Sequence, residues 1–124
     1  MNAFFIGINT RRAVAEGRAD YTPTFLSDLP FLIRTGLIQI AVALIQVTPP
    51  DEHGFCSLGV SVDVTKAAAE KANLVIAQVN RRMPRVLGDS FLHINDIDIV
   101  VEHDENILET PRPELDIVSE RIAK

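Results

Sequence analysis

The sequence predicts an α/β domain with a mainly parallel sheet flanked by helices. Two apolar runs, residues 42–47 and 74–79, have the length and β-branched content of strands buried on both faces. Between them lie a turn-rich loop and an Ala-rich helical stretch, which is enough chain for a right-handed crossover between parallel strands. Open α/β sheets bind ligands beyond the carboxyl ends of their strands, so residues 48–54 and 80–85 are the first place to look for a site.

The composition further limits the number of domains and the class of protein. The 124 residues are 47% hydrophobic, which fits one domain or part of one. Cys56 is the single cysteine, so no internal disulfide forms, and it is interpreted as a small buried hydrophobe in a protein of a reducing compartment. Residues 89–124 carry a net charge of −7, against +2 for residues 1–88. This acidic part argues against nucleic-acid binding, and the apolar stretches are too short for a membrane span.

The first third predicts two helices and two extended pieces. Residues 4–8 are expected to form a short buried strand, and residues 11–17 a helix that ends at Gly17. An extended piece at 21–23 precedes a helix over 25–35, which ends at Gly36. The apolar residues of that second helix predict its buried face: Phe25, Leu26, Leu29, Leu32 and Ile33.

The remainder alternates between strands and helices. Gly54 predicts a turn before an extended segment at 55–58, and Ser61 is the expected N-cap of a helix over 62–72. Two further strands are expected at 91–94 and 97–101, then an extended link at 110–113 and a helix over 114–124. That helix carries no stop signal, and the chain starts abruptly, so both ends are expected to be cut.

Candidate sites for anions are weak in isolation. Gly54 and Gly59 have the glycine spacing of a phosphate loop, but Val60 and Ser61 follow where Lys and Ser or Thr are required. Ser57, Gly59 and Ser61 lead either into an anion-binding helix start or into a simple turn and cap. The arginines that follow the second strand could bind a carboxylate or a phosphorylated cofactor, or pair with the acidic last third; they are Arg81, Arg82 and Arg85.

Metal binding is not predicted. His53, His93 and His103 lack the spacing of a ligand set, and the Asp96–Asp98 pair lacks the Gly and the final Glu of a calcium loop. Gln78 and Asn80 end the second strand, where their amides either orient a carbonyl or carboxylate or make structural hydrogen bonds.

Two segments, PPDEHGFCSLG at 49–59 and QVNRRMPR at 78–85, resemble the acetyl-CoA hydrolase/transferase family, which includes 4-hydroxybutyrate and butyryl-CoA:acetate CoA-transferases. The resemblance extends over nearly the whole chain. It implies the CoA-transferase fold, with residues 1–124 as the later part of the first of two α/β domains, an incomplete domain on its own.

The resemblance also implies chemistry. In the family, CoA passes between an acyl thioester and a free carboxylate such as acetate, through a glutamyl-CoA thioester on a glutamate that lies outside this chain. The implied partners are acyl-CoA, a short-chain carboxylate, and the remainder of the enzyme or a complementary subunit, in a homo-oligomer without a metal, nucleic acid or membrane. The implied location is the cytoplasm, or the mitochondrion in a eukaryote. No catalytic residue is assigned here, and the expected substrate-binding residues are Pro50, His53, Gly54, Gln78, Asn80, Met83 and Arg85.

Two alternatives stay open. The chain is either part of such an enzyme or a non-catalytic α/β binding or assembly module that pairs with a partner chain. A third reading, a sugar-phosphate isomerase-like enzyme, has no basic phosphate loop to support it. Glu52 is the glutamate in a candidate loop, but no oxyanion partner is identifiable, so it is not assigned as a nucleophile.

Overall fold

The structure, a computed structural model, describes residues 2–111 and 117–122. Seven strands and four α-helices occur in these residues, with 3-10 turns at Leu26–Asp28 and Ile94–Asp96. In chain order the elements are β1 (Asn2–Ala3), α1 (Ile8–Ala15), β2 (Asp20–Tyr21), α2 (Leu29–Arg34), β3 (Val42–Val47), β4 (Phe55–Ser57), α3 (Thr65–Lys71), β5 (Leu74–Val79), β6 (Phe91–His93), β7 (Ile99–Glu102) and α4 (Ile117–Ile122).

The central sheet has the strand order β3-β5-β7, and all three strands are parallel. Val42 lies opposite Leu74, and the register continues without a break to Val47 opposite Val79. The predicted bounds of β3 and β5 and their parallel pairing are therefore confirmed. β7 extends the sheet from the other edge of β5, with Ile76 opposite Ile99.

One face of this sheet forms the core. Ala43, Ile45 and Val47 of β3 are buried with Val75 and Ala77 of β5. Ala69 of α3 joins the same cluster, and its small side chain lets the helix lie close to the sheet. The core is completed by Cys56, Leu58, Val79, Leu92 and Ile97.

The opposite face of the sheet is open within the described residues. Leu44 is 77% exposed there, and Ile99 and Val101 are about half exposed. The prediction that both strands are buried on both faces is therefore wrong for β3 in this part of the protein, whereas β5 is half-buried on this face. The physical reason is that the described helices α2 and α3 pack on each other and α3 on β3, so they do not cover this face.

A second, antiparallel pair lies beyond the carboxyl end of β3. β4 pairs with β6, with Cys56 opposite Leu92. Thr48 ties this pair to β3, because its N–H donates to the carbonyl of Ser57 and its Oγ1 accepts from the Ser57 N–H, both at 2.9 Å. The strands expected at 91–94 and 97–101 both exist, but only the second one joins the parallel sheet.

The N-terminal region departs from prediction. The expected strand at 4–8 is wrong: β1 comprises Asn2–Ala3 and pairs in parallel with β2, and Phe5 is 80% exposed. Helix α1 begins at Ile8 because the carbonyl of Gly7 accepts the Arg11 N–H at 3.0 Å and the Thr10 hydroxyl at 3.2 Å. The predicted stop at Gly17 is confirmed by its φ of +68°.

The second predicted helix splits into a 3-10 turn followed by α2. Leu29 and Ile33 are buried as expected, but Phe25 and Leu26 are exposed, so the predicted apolar face is wrong at those two positions. Gly36 follows the helix with a φ of +79°, as predicted.

Helix α3 starts later than the predicted residue 62. Asp63, and not Ser61, satisfies its start, because Asp63 Oδ1 accepts the Thr65 N–H at 3.2 Å and the Thr65 hydroxyl at 2.9 Å. Helix α4 lies within the predicted 114–124, of which 114–116 and 123–124 are outside the described residues, as are 112 and 113 of the predicted link. Across residues 2–111 and 117–122, no helix combines the length and apolar character needed to cross a membrane.

Candidate functional site

A groove lies at the carboxyl edge of the parallel sheet. The strands end together there, because the Asn80 N–H donates to the Val47 carbonyl at 2.9 Å and the His103 N–H donates to the Val79 carbonyl at 3.1 Å. The chain after each strand supplies one wall of the groove. Its lining combines prolines with both signs of charge: Pro49, Pro50, Val79, Arg81, Glu102, His103 and Asp104.

The two predicted site loops are joined by Arg85. One guanidinium nitrogen donates to the Phe55 carbonyl at 3.1 Å, and another pairs with the carboxylate of Asp51. The guanidinium also lies 4.8 Å from the centre of the Phe91 ring, in a cation–π contact. These contacts occupy Arg85 within the chain, so in this structure it fixes the loop that contains Asp51.

Asp51 organises the loop that it starts. Its Oδ1 accepts the Phe55 N–H at 2.8 Å and the His53 N–H at 3.0 Å, and the turn closes at Gly54, whose φ is +84°. The hydrogen bond from Phe55 is the main reason that the pKa of Asp51 lies below its usual range. Desolvation opposes this effect, whereas the His53 N–H and the charge of Arg85 add to it. The loop is thus held with Asp51 in its charged form.

His53 lies at the exposed tip of this loop. Its Nε2 is 3.5 Å from Glu52 Oε1, and both side chains are mostly in solvent. The loop backbone is held instead by His93, whose Nε2 lies 3.1 Å from the His53 carbonyl while its Nδ1 accepts the Asn95 N–H at 3.2 Å. This pattern assigns the His93 proton to Nε2.

Asn80 is fully buried and is used by the fold. Its Nδ2 donates to the Glu105 carbonyl at 2.8 Å, and its Oδ1 accepts the Arg82 N–H at 2.9 Å and the Glu105 N–H at 3.3 Å. The side chain therefore latches the end of β5 to residues 103–106. These contacts match the second of the two predicted roles for the Asn80 amide, which is structural hydrogen bonding.

Met83 is also buried, and it packs on Gly59. A Cβ added to Gly59 would lie 2.2 Å from Met83 Sδ and 2.9 Å from the Pro84 carbonyl oxygen. Gly59 has a φ of +58°, so both its conformation and its neighbours require glycine. Met83 therefore joins the 80–85 loop to the segment that follows β4.

Gln78 lies on the open face of the sheet, next to Gln46 of β3. Gln78 Nε2 donates to Glu105 Oε1 at 2.9 Å and to the His103 carbonyl at 3.1 Å. Gln46 Nε2 donates to the same Glu105 oxygen at 2.7 Å. Sequence reasoning identified Gln78 but missed Gln46 and Glu105. The available signal was one glutamine at the fifth position of each of two otherwise apolar runs.

The other candidate groups are separated by the fold. The three arginines have different partners: the Arg82 guanidinium bonds to the side-chain oxygen of Asn106, Arg85 pairs with Asp51, and Arg81 lines the groove. The Ser57 hydroxyl is buried, donates to the Val86 carbonyl at 3.1 Å, and accepts the Gly59 N–H at 3.1 Å, so it does not face an anion at a helix start. Burial raises the pKa of the Cys56 thiol, which agrees with its interpretation as a buried hydrophobe. In the part of the chain that the structure describes, no three His, Cys, Asp or Glu side chains group as metal ligands.

These features define an α/β protein with a groove at the carboxyl edge of a parallel sheet, the place where open α/β sheets bind ligands. Comparison with known proteins identifies the family. The sequence model of the acetyl-CoA hydrolase/transferase N-terminal domain matches residues 1–110. The chain belongs to the acetyl-CoA hydrolase/transferase family.

Three similar proteins illustrate the match. The 4-hydroxybutyrate coenzyme A transferase of Clostridium kluyveri is 53% identical over 123 residues, covering 99% of this chain and 29% of that protein. The succinyl-CoA:acetate/propanoyl-CoA:succinate CoA transferase of Fasciola hepatica is 49% identical, covering 90% of this chain and 23% of that protein. The crystal structure of RipA from Yersinia pestis superposes with a TM-score of 0.80 at 31% identity, covering 92% of this chain and 28% of that one. The chain thus spans less than a third of the length of these relatives.

Proposed function

We propose that this chain forms one wall of the acyl-group cleft of a CoA-transferase, with the catalytic glutamate outside the chain. The observation that carries the proposal is the family match over residues 1–110, which includes both loops at the carboxyl edge of the sheet. The substrates would be an acyl-CoA and a short-chain carboxylate. The location we propose is a reducing compartment such as the cytoplasm, with which the buried thiol of Cys56 is compatible.

The reaction class needs three events that balance. A glutamate carboxylate attacks the thioester carbonyl, the carbon–sulfur bond breaks, and CoA leaves as a thiolate, which leaves a mixed anhydride of the acyl group and the glutamate. The thiolate then attacks the glutamyl carbonyl, which forms the enzyme–CoA thioester and releases the acyl group as its carboxylate. A second carboxylate reverses these steps and leaves as a new acyl-CoA.

The chain's own residues suit a binding role better than a nucleophilic one. Glu52, the glutamate of the candidate loop, has a side chain that is 86% exposed, and it faces His53 at the loop tip. A nucleophilic carboxylate requires donors aimed at the developing oxyanion in a site that excludes water, and the loop tip offers neither. The groove beside Arg81, in contrast, offers a cation and rigid walls from Pro49 and Pro50.

A chimera tests the proposal. The chain would replace the matching 123 residues of the Clostridium kluyveri relative, and acyl-CoA:acetate exchange would be followed by thioester loss and gain. We expect the chimera to exchange within about tenfold of the parent enzyme, a difference of roughly 1.4 kcal/mol in barrier, and the isolated chain to show no exchange.

The matched control is Glu52→Gln in the chimera, which we expect to leave exchange unchanged. Exchange by the isolated chain that disappears with Glu52→Gln would place the nucleophile inside this chain and overturn the proposal. A folded but inactive chimera would favour the alternative of a non-catalytic assembly module.

A further inference from the structure

Two glutamine side chains and one carboxylate meet on the open face of the sheet. Gln46 and Gln78 are register partners on adjacent parallel strands, so their side chains leave the same face side by side. Both Nε2 groups donate to one oxygen of Glu105, at 2.7 and 2.9 Å. The two amides therefore already bind a carboxylate, which is the side chain of Glu105 in the same chain.

The carboxylate of Glu105 is not needed to hold its segment. Asn80 fixes the backbone of Glu105 from both sides, by a donor to its carbonyl and an acceptor for its N–H. The side chain can therefore rotate away while the backbone stays in place. The next residue, Asn106, accepts a hydrogen bond from the Arg82 guanidinium, which ties the same segment to the 80–85 loop independently of the Glu105 side chain.

An apolar groove continues from the amides along the sheet. Gln46 and Gln78 line it together with Leu44, Ile76 and Val101. Of these, Leu44 is 77% exposed and Val101 47% exposed. A ligand with a carboxylate at one end and a short apolar chain would match both parts, since the amides take the charge and the sheet face takes the methylenes.

We propose that Gln46 and Gln78 form a binding seat for a short-chain carboxylate, which Glu105 occupies until a ligand displaces it. The inference rests on the proposed function in one respect: it assigns the carboxylate co-substrate to a place in this chain. Glu105 is then an internal competitor, and its negative charge lowers the affinity for a free carboxylate as long as it stays in the seat.

The test measures binding of butyrate, without any thioester, to the 124-residue chain at a concentration where sedimentation velocity shows it to be monomeric, because Leu44 of the same groove is exposed. Backbone and side-chain amide resonances are followed by NMR during titration with sodium butyrate. Glu105→Ala frees the N–H groups of Gln46 and Gln78 that bond to Glu105, while Gln78 keeps its bond to the His103 carbonyl, and it removes a like charge. We therefore expect it to bind butyrate at least about tenfold more tightly than the unchanged chain. Gln46→Leu with Gln78→Leu in the Glu105→Ala background should remove this gain.

Controls separate the seat from general charge effects. Glu109→Ala removes the same charge from an exposed position outside the seat and should leave the affinity unchanged. Butyramide, which has the same chain but no charge, should not bind, and acetate should bind several-fold more weakly than butyrate because it has fewer methylenes on the sheet. Equal binding by the Glu105→Ala and Glu109→Ala variants, or binding of butyramide, would overturn the proposal.

The same variants in the chimera give a second readout. If the seat serves the reaction, Gln46→Leu with Gln78→Leu raises the KM for the carboxylate with little change in the KM for acyl-CoA. An active chimera whose carboxylate KM is unaffected would remove the seat but leave the proposed function intact. If the chimera is inactive but butyrate still binds to the Glu105→Ala chain, the proposed function is removed and the seat is kept.

Discussion

Several side chains in the candidate loops already bond to other residues of the chain. Arg85 was predicted to meet a substrate, but its guanidinium is held by Asp51, the Phe55 carbonyl and the Phe91 ring. The prediction of substrate contact stays a prediction, and the structure gives Arg85 a specific positioning task. Without it, the loop that starts at Asp51 would lose its link to the 80–85 loop.

The charge of Asp51 makes this loop sensitive to acid. Because hydrogen bonding from Phe55 lowers the pKa of Asp51 in the folded state, the stabilisation is complete above the unfolded-state pKa of about 3.9 and is lost as pH falls through the lower folded-state pKa. We expect the Phe55 and His53 amide resonances to move together in that acidic window. Two-dimensional NMR between pH 2 and 6 measures this.

Asp51→Asn provides the comparison for the acid titration. This variant keeps the shape of the side chain but removes its charge, so it should be less stable than the unchanged chain near pH 6 and approach it in stability near pH 2. A difference in urea midpoint that stays constant from pH 2 to pH 6 would contradict the role assigned to the Asp51 charge.

At the scale of elements, the central strands follow directly from sequence. The bounds of β3 and β5 were predicted residue by residue, because Pro49 and Asn80 end runs of β-branched side chains. The partner of β6 could not be predicted in the same way, since β4 and β6 are three residues each and their pairing depends on tertiary contacts. The strand expected at 4–8 failed for a related reason: apolar content alone does not tell a buried strand from residues that are exposed in this part of the protein.

In the candidate site, too, some residues could be predicted from the sequence and others could not. Pro50, Gln78, Asn80 and Arg85 were predicted because they end or follow strands whose carboxyl ends meet at one edge, and their contact with substrate stays a prediction. Gln46 and Glu105 were missed because their meeting joins positions 59 residues apart. No local pattern brings residues 103–108 back over the sheet; the buried Asn80 amide does so.

Removing the Asn80 latch should therefore separate two elements. Asn80→Ala leaves the N–H groups of Arg82 and Glu105 without their side-chain acceptor, and we expect the free energy of unfolding to fall by about 2–3 kcal/mol. Urea denaturation followed by circular dichroism measures the loss. Hydrogen exchange should rise first at Glu105 and in the residues that follow it.

Asn95→Ala is the matched control, because Asn95 is exposed in a 3-10 turn and only its backbone N–H bonds to His93. It should change the free energy of unfolding by less than about 0.5 kcal/mol. If the two alanine variants lost equal stability, Asn80 would not be the latch that its hydrogen bonds indicate.

On the scale of the whole molecule, the chain leaves large apolar groups in solvent. Leu108 is 99% exposed, Ile8 85% and Leu87 82%, in addition to the open sheet face around Leu44. Exposed apolar patches of this kind mark interaction surfaces or favour aggregation. They fit a chain that spans less than a third of its relatives.

We therefore expect the isolated chain to self-associate. Sedimentation velocity across a hundredfold range of concentration should show species larger than the monomer, and Leu44→Lys should weaken this association by about tenfold or more because it charges the sheet face. Ile8→Lys, which charges an exposed position in α1, outside the central sheet, should have a smaller effect. A chain that stays monomeric at every concentration would show that the open face does not drive association.

The parallel pairing of β3 and β5 also imposes a delay during biosynthesis, because the two strands are far apart in the sequence. Val42 pairs with Leu74, which lies 32 positions later in the chain. At a ribosomal rate of about 5–20 residues per second, roughly 2–6 s separate the emergence of Val42 from that of its partner. Through that interval an apolar strand with unpaired backbone groups leaves the ribosome, which is the period when a chaperone would have most to protect.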